Sequence, residues 1–525
     1  MTKFRMSDRG AQSLSHSALL PRSFLPLFFT PPFTTFSPTR SACARPWPSS
    51  EPTHLNLRPG RDQTASMTAS KPALHFIVVG ASVAGLATAI ALQNAGHSVT
   101  VLEKAPQLGS PDDGSVIQGC ARVAPNAYKI LAEWGLEVEL RRHGVVNAGF
   151  GVYKYDGKKP EGRDLMGINT WDPELLVEAR GDFIFIAHKL LLKMLYNRAI
   201  SPPSGSARVK VVFGAEVASV DCEADEPAVT LSSGDVYRGD AVIGADGATG
   251  AVRRALLAAE GAQLSEDEYT GMMVYSAVVP YKSVSQHRDL DVFFDFPQSS
   301  VSMGSGRGFV TDNDGAQDIF IFVYTPEAPY DGSWTETAPT KISEVLGSCD
   351  PSLKKLASLA GPTSAFQIKK FYELDSWVSE SGKVLALGEA AHPAQVACGL
   401  HTYSLAFEDG VFIGKIFSHS NDRERVPELF YAFEEHRKPR CAFLKNIEEV
   451  YIGLITLADG EAQVGRDSMM RANHAAGLNV LAASGELGMQ EMLDETRRVF
   501  SYDANDDADE WWMSWGRYRR IKVEF

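Results

Sequence analysis

The ordering of apolar and polar positions is sharpest between Leu74 and Lys104. Leu74-His75-Phe76-Ile77-Val78-Val79 is a short apolar run rich in β-branched residues, which predicts a buried parallel strand. It leads into Gly80-Ala81-Ser82-Val83-Ala84-Gly85. A helical pattern follows through Leu86, Ile90 and Leu92 and stops at Asn94-Ala95-Gly96-His97; Ser98 to Leu102 then predicts a second strand, ending at Glu103. The same strand-into-turn reading recurs twice. Asp240-Ala241-Val242-Ile243-Gly244-Ala245-Asp246-Gly247 precedes a helix opening at Val252-Arg253-Arg254, and Gly382 to Pro393 runs into a small-residue turn holding Glu389. Leu405 to Phe417 predicts a helix carrying Glu408-Asp409. Gly271–Pro280, Val292–Phe296 and Ile319–Tyr324 alternate or cluster like strands, and the tail from about 451 shows helical patches.

Each part of the first motif has a physical task. Gly80 permits a tight strand-to-helix turn, and Gly85 lets the helix pack closely on the strand. The helix N-terminus offers free N–H groups and a positive dipole end to a pyrophosphate. Glu103, 23 residues after Gly80, is placed to accept hydrogen bonds from a ribose hydroxyl. The middle glycine of the usual pattern is Ser82, which brings a small side chain towards the phosphates. An acid at Glu103 favours a free ribose 2′-OH, hence FAD or NAD at this site, and its place near the folded N-terminus points to FAD.

Composition narrows the class. Hydrophobic residues at 44% and charged residues at 22% suit a globular protein, and the net charge of −14 argues against a nucleic-acid partner. Six scattered cysteines with no C-x-x-C pair offer neither a zinc site nor a disulfide framework, so a reducing compartment is expected. Residues 1–71 stand apart. The first 70 hold eight Lys/Arg against three Asp/Glu and nine prolines, and their apolar stretch Leu19–Phe36 is cut by Pro21, Pro26, Pro31 and Pro32. No membrane span is expected there. The segment reads as a transit-like leader, a solvated tail, or an extension upstream of Met67. Location is accordingly expected to be cytoplasmic, or mitochondrial if the leader is genuine.

The three motifs, in this order and at these separations, resemble the FAD-dependent monooxygenases related to 4-hydroxybenzoate and salicylate hydroxylases, and most closely the fungal members that act in secondary metabolism. The likeness runs from about Pro72 to about Arg440. It implies an α/β fold in which a Rossmann-like FAD-binding domain of the glutathione-reductase type (72–150, 183–258 and 378–450) carries a sheet-rich substrate domain (151–182 and 259–377) and a helical C-terminal extension (451–525). It also implies use of NAD(P)H as co-substrate and of O2 to hydroxylate or epoxidise a small organic molecule.

The resemblance assigns cofactor contacts to Gly80, Ser82, Gly85, Glu103, Gly119, Arg122, His188, Asp246, Gly247 and Glu389, with Gly119-Cys120-Ala121-Arg122 passing beside the flavin. It also exposes departures. His188 stands where many relatives have Arg, which makes that contact dependent on pH. Glu389 replaces the usual Asp. Tyr275-Ser276 stands where many have Tyr-Arg. The loop Ala394–Tyr403, apparently one residue longer than usual, replaces a small-residue turn under the flavin. His401 and Tyr275 are the expected catalytic candidates, with Tyr403 facing the same cavity. Because the loop is altered, a flavin oxidase or dehydrogenase of the same fold and a degenerate flavin-binding protein remain open as alternatives. The Trp511, Trp512 and Trp515 cluster is expected to dock the tail on the body.

Overall fold

The computed structural model describes residues 73–518, apart from 109–118, 158–162, 202–206, 263–266, 296–298, 314–317, 327–329, 331, 333–335, 394–400 and 484. The N-terminal segment and most of the loop after Pro393 therefore lie outside the described residues. Ala482–Glu495 separate from the main body, which comprises the described residues up to Leu481 and from Thr496.

The first apolar run becomes the strand His75–Val79, buried at four of its five positions, as befits a strand covered on both faces. It is the central member of a five-stranded parallel sheet in the order Val384–Ala386, Ala241–Gly244, His75–Val79, Ser98–Glu103, Val209–Phe213. The helix Val83–Asn94 packs on it, buried along nearly its whole length, because it lies beneath a second helix, Thr402–Ser418. Gly410 and Gly414 make that approach possible, since a Cβ on either would meet the backbone of Ala87 or Ala91 at 2.6–2.8 Å. Helix Val426–Ile455 lies against Thr402–Ser418 and passes through Pro439 without ending.

A second, seven-stranded sheet has the order Ser364–Lys370, Glu268–Val279, Ile319–Thr325, Arg307–Asn313, Ser299–Gly304, Gly149–Lys154, Leu165–Thr170. It is antiparallel except where Ser299–Gly304 runs parallel to Gly149–Lys154. Alternation divides its side chains between two faces. Val274, Val278, Val310, Phe320, Phe322, Tyr324 and Phe366 meet Cys120, Phe185 and Ala187 of a small sheet built from Cys120–Val123, Ile184–Ala187 and Val145–Val146. Met273, Tyr275, Ala277, Phe309, Ile321 and Val323 face the other way, onto Leu290, Phe293, Leu353 and Leu356.

The expected strand at Val292–Phe296 is instead a 3-10 helix, Arg288–Phe293. Leu290 and Phe293, three residues apart, are its buried pair, which is the spacing of one 3-10 face and not of a strand. In the tail, Trp511 is buried and Trp512 stacks on His419 at 4.8 Å beneath the Arg425 guanidinium, so both dock as expected. Trp515 does not, being 64% exposed. Among the described residues no helix is long and apolar enough to cross a membrane.

Candidate active site

The glycine-rich turn leaves no room for side chains. Gly80 has φ +99° and a Cβ there would lie 2.5 Å from the Ala245 carbonyl oxygen; a Cβ on Gly85 would lie 2.0 Å from that of Gly80. Ser82 is the N-cap of the helix: its Oγ accepts from the Gly85 N–H at 3.2 Å and donates to the Ala245 carbonyl at 3.0 Å. The hydroxyl expected to face phosphates therefore already ties the first and second motifs together. Glu103 supports the same turn, one carboxylate oxygen accepting from the Ala81 N–H at 2.7 Å and the other from the Ala105 N–H at 2.8 Å.

Asp246 and Glu389 sit at the C-terminal ends of neighbouring strands, where parallel sheets place their ligands. Asp246 accepts from the Val252 N–H at 3.0 Å, but its other oxygen is buried without a partner. Glu389 lies in the short 3-10 turn Gly388–Ala390 that follows the neighbouring strand. Burial raises both carboxyls above their ordinary range. A clash-tight turn at a helix N-terminus, a carboxylate at the end of the second strand, an Asp246 oxygen buried without a partner and the Glu389 carboxyl are a donor and acceptor set that fits a bound dinucleotide.

Gly119 precedes the small sheet's first strand, Cys120–Val123, and Arg122 lies within it. Gly119 accepts the His188 N–H at 2.8 Å. Arg122 reaches the inner face of the large sheet, where Nε and Nη2 both bond one oxygen of Asp312 at 2.8 and 2.5 Å and the guanidinium lies over Phe322 at 4.8 Å. The other Asp312 oxygen accepts from Ser299, which accepts from Asn147, which in turn accepts from Trp171. This buried chain of bonds was not anticipated, because its two charges lie 190 residues apart.

His188 Nδ1 is 2.9 Å from the Tyr403 hydroxyl. Burial lowers the imidazole to about 4 and raises the phenol well above its ordinary value. The expected pH dependence of His188 near neutrality is thus absent: without an acidic partner the buried ring stays neutral. His401 is buried, its backbone N–H donating to Glu448 at 2.9 Å and its Nδ1 left without a partner. Burial and the Arg440 charge hold it at about 3, so near neutral pH the ring is uncharged and offers no imidazolium as an acid. Tyr275 lies on the outer face of the sheet, away from Cys120 and Arg122, so it does not share a cavity with Tyr403. Its neighbour Ser276 is on the inner face, paired with Phe322, and its hydroxyl is buried without a partner.

Under this region lies a charged network that the sequence disclosed only as the pair Glu408-Asp409. Arg437 donates from Nε to Asp409 and from Nη2 to Glu408, each at 2.8 Å; Arg440 donates twice to Glu408, and Asn126 once at 2.6 Å. Asp409 also accepts from the Gly388 N–H at 3.0 Å and lies 2.7 Å from His392 Nε2. Burial raises Asp409 and Glu408, but His392, Arg437 and Arg440 outweigh it, leaving Asp409 at about 2 and Glu408 below its usual range. For His392 burial is likewise outweighed, by Cys441 and Asp409, and its pKa rises to about 10.

The chain belongs to the FAD binding domain family, which matches residues 74–445. It is an FAD-dependent monooxygenase. It is 25% identical over 404 residues to the FAD-dependent monooxygenase OpS4 of Beauveria bassiana, covering 76% of this chain and 89% of that protein. It is equally 25% identical to 6-hydroxynicotinate 3-monooxygenase of Bordetella bronchiseptica, covering 71% and 90%. The crystal structure of CtdE with FAD and substrate shares the fold, with a TM-score of 0.67 at 18% identity over 84% of this chain and 98% of that one.

Proposed function

We propose that this monooxygenase uses NAD(P)H and O2 to hydroxylate an uncharged aromatic substrate held between the inner face of the seven-stranded sheet and the strand Cys120–Val123, in fungal secondary metabolism. The observation that carries the substrate class is the state of Arg122. On this wall, among the described residues, its guanidinium is committed to Asp312, His188 is neutral, and the other side chains, Val274, Val278, Val310, Phe320, Phe322, Tyr324, Phe366 and Ser276, carry no charge. A substrate carboxylate meets no available cation there, whereas a flat ring with one hydroxyl satisfies Ser276. The relatives fit the broader class, and the one named for 6-hydroxynicotinate acts on a carboxylated ring, which makes charge the point of difference.

A bound flavin supplies electrons taken from NAD(P)H and the activated oxygen atom. The protein's part is placement. Glu103 holds the Ala81 amide and would accept from the ribose, the first turn of Val83–Asn94 would receive the pyrophosphate, and Asp246 and Glu389 would take the remaining hydroxyls. Tyr403 and His188 keep their shared hydrogen bond across physiological pH and orient groups without titrating. His401 is a positioning residue behind them. The aromatic wall excludes water from the reacting ring.

Two measurements check this reading. Glu103→Ala is expected to weaken FAD binding by about 1–3 kcal/mol, read as the dissociation constant of the reconstituted protein; unchanged affinity counts against the ribose role. Asp312→Asn removes the carboxylate charge bonded to Arg122 while keeping a group for Ser299 to bond. The variant is expected to bind salicylate about 10- to 100-fold more tightly than wild type does, followed by perturbation of the flavin spectrum, because a charge-assisted hydrogen bond contributes about 1.5–3 kcal/mol. Wild type that already prefers salicylate over phenol overturns the uncharged-substrate assignment.

A further inference from the structure

Three donor side chains from three segments converge beside the turn that carries Glu389. A ring nitrogen of His392, a carboxylate oxygen of Asp409 and the Sγ of Cys441 all lie within 4.8 Å of one another. His392 ends the turn that begins at Gly388, Asp409 is in the helix Thr402–Ser418, and Cys441 is in the helix Val426–Ile455. The Asp409 side chain is fully buried and that of His392 is 11% exposed. His392 and Cys441 also line one cleft, together with Tyr372, Trp377 and Lys438, which gives a path from solvent. We propose that His392, Asp409 and Cys441 form a binding site for a thiophilic divalent cation of the zinc type.

The donor set selects the ion. One thiolate, one imidazole and one carboxylate suit a borderline-soft metal, whereas calcium and magnesium require a shell made largely of oxygens. A tetrahedral zinc ion with bonds of about 2.0–2.3 Å sets its ligand atoms roughly 3.3–3.7 Å apart. The present separations are within reach of that geometry: His392 Nε2 and the Asp409 oxygen, now 2.7 Å apart, have to open slightly as the ion replaces the proton between them. The fourth position faces the cleft and takes a water. The ligands are already oriented, since Asp409 is held by the Gly388 N–H and Arg437 Nε, and the His392 ring is tilted against Trp377 at 5.4 Å.

The exchange balances. Around one divalent ion the thiolate and the carboxylate supply two negative charges and the imidazole binds neutral, so the two positive charges are matched by the ligands, and any proton those groups hold leaves to solvent. The ion therefore needs no new counter-charge in a buried place. Cys441 is the residue that makes the difference, because without its thiolate the remaining two donors are an ordinary buried pair. Occupancy fastens the Glu389 turn to the helix Val426–Ile455, wherever the cofactor lies.

The full chain, stripped with a chelator, is incubated with zinc chloride and desalted; zinc per chain is counted, and its ligands are read by X-ray absorption at the zinc edge. The expected result is one retained zinc with a single sulfur neighbour and nitrogen or oxygen otherwise. In Cys441→Ser the sulfur signal disappears and affinity falls about tenfold or more, while Cys120→Ser retains both. Wild type that desalts free of zinc overturns the proposal, as does zinc held by nitrogen and oxygen alone. A sulfur signal that survives in Cys441→Ser does so too. Should Cys441→Ser fail to fold, the wild-type spectrum decides alone.

Discussion

Arg437→Met is expected to destabilise the protein by about 3–5 kcal/mol and to release the flavin, because it removes the buried cation that two buried carboxylates share. Arg437 is fully buried and bridges Asp409 and Glu408 through separate nitrogens, with Nη1 on the Tyr502 hydroxyl at 3.0 Å. Arg440 still serves Glu408 in the variant, but Asp409 keeps only the Gly388 amide and His392. Gly388 begins the turn that presents Glu389, so the disturbance passes directly to the proposed cofactor site. Arg437→Lys is expected to rescue little, since an ammonium cannot reproduce two planar donors at fixed separation. Thermal denaturation together with retained flavin absorbance measures both effects. A wild-type midpoint in Arg437→Met would remove the network from the account of stability.

The second large effect is a loss of stability in mild acid that traces to His401. Its folded pKa, about 3, lies below the unfolded value of 6.5 because burial and Arg440 oppose the imidazolium, with Glu408 opposing them only in part. Between these two values the unfolded chain binds a proton that the native one refuses, so stability is fully present above pH 6.5 and falls as pH drops towards 3. At about 1.4 kcal/mol per unit, the loss reaches on the order of 3 kcal/mol near pH 4. Asp409 and Glu408 act in the same direction at lower pH, once their carboxylates begin to protonate. His401→Leu keeps the backbone N–H that bonds Glu448 and removes the titrating ring. Its melting temperature is expected to vary less between about pH 6.5 and 4.5 than that of wild type. Parallel curves for the two proteins would assign the acid sensitivity elsewhere.

What could be read in the sequence was whatever depends on neighbours in the chain. The Gly80-to-Glu103 unit, its strand, capped helix and terminal acid are set by local propensity and by glycines that no other residue can replace. Contacts between distant segments carry no such mark. Asp312 is one acid among many until the fold brings Arg122 to it, and Arg437 looks like a surface residue on an amphipathic helix. Tyr275 illustrates a different limit: alternation shows that Tyr275 and Ser276 point oppositely, but only the packed sheet reveals which of them faces the strand of Cys120 and Arg122. His188 shows a third. Residue type suggested a group that titrates near neutrality, and its surroundings, absent from the sequence, moved that titration out of the physiological range.

The five-stranded parallel sheet has a consequence for how the protein is made. Its central strand ends at Val79, whereas the edge strand Val384–Ala386 lies about 300 residues further along. At a synthesis rate of roughly 5–20 residues per second, some 15 to 60 s separate their emergence from the ribosome. Throughout that interval the Ala241–Gly244 strand, or the ground it will occupy, has an open hydrogen-bonding edge, and for the earlier part of it the Gly80 turn waits for Ala245 to close over it. An unpaired edge of buried-type residues is a template for aggregation. The newly made chain therefore carries that open edge until the last parallel strand arrives.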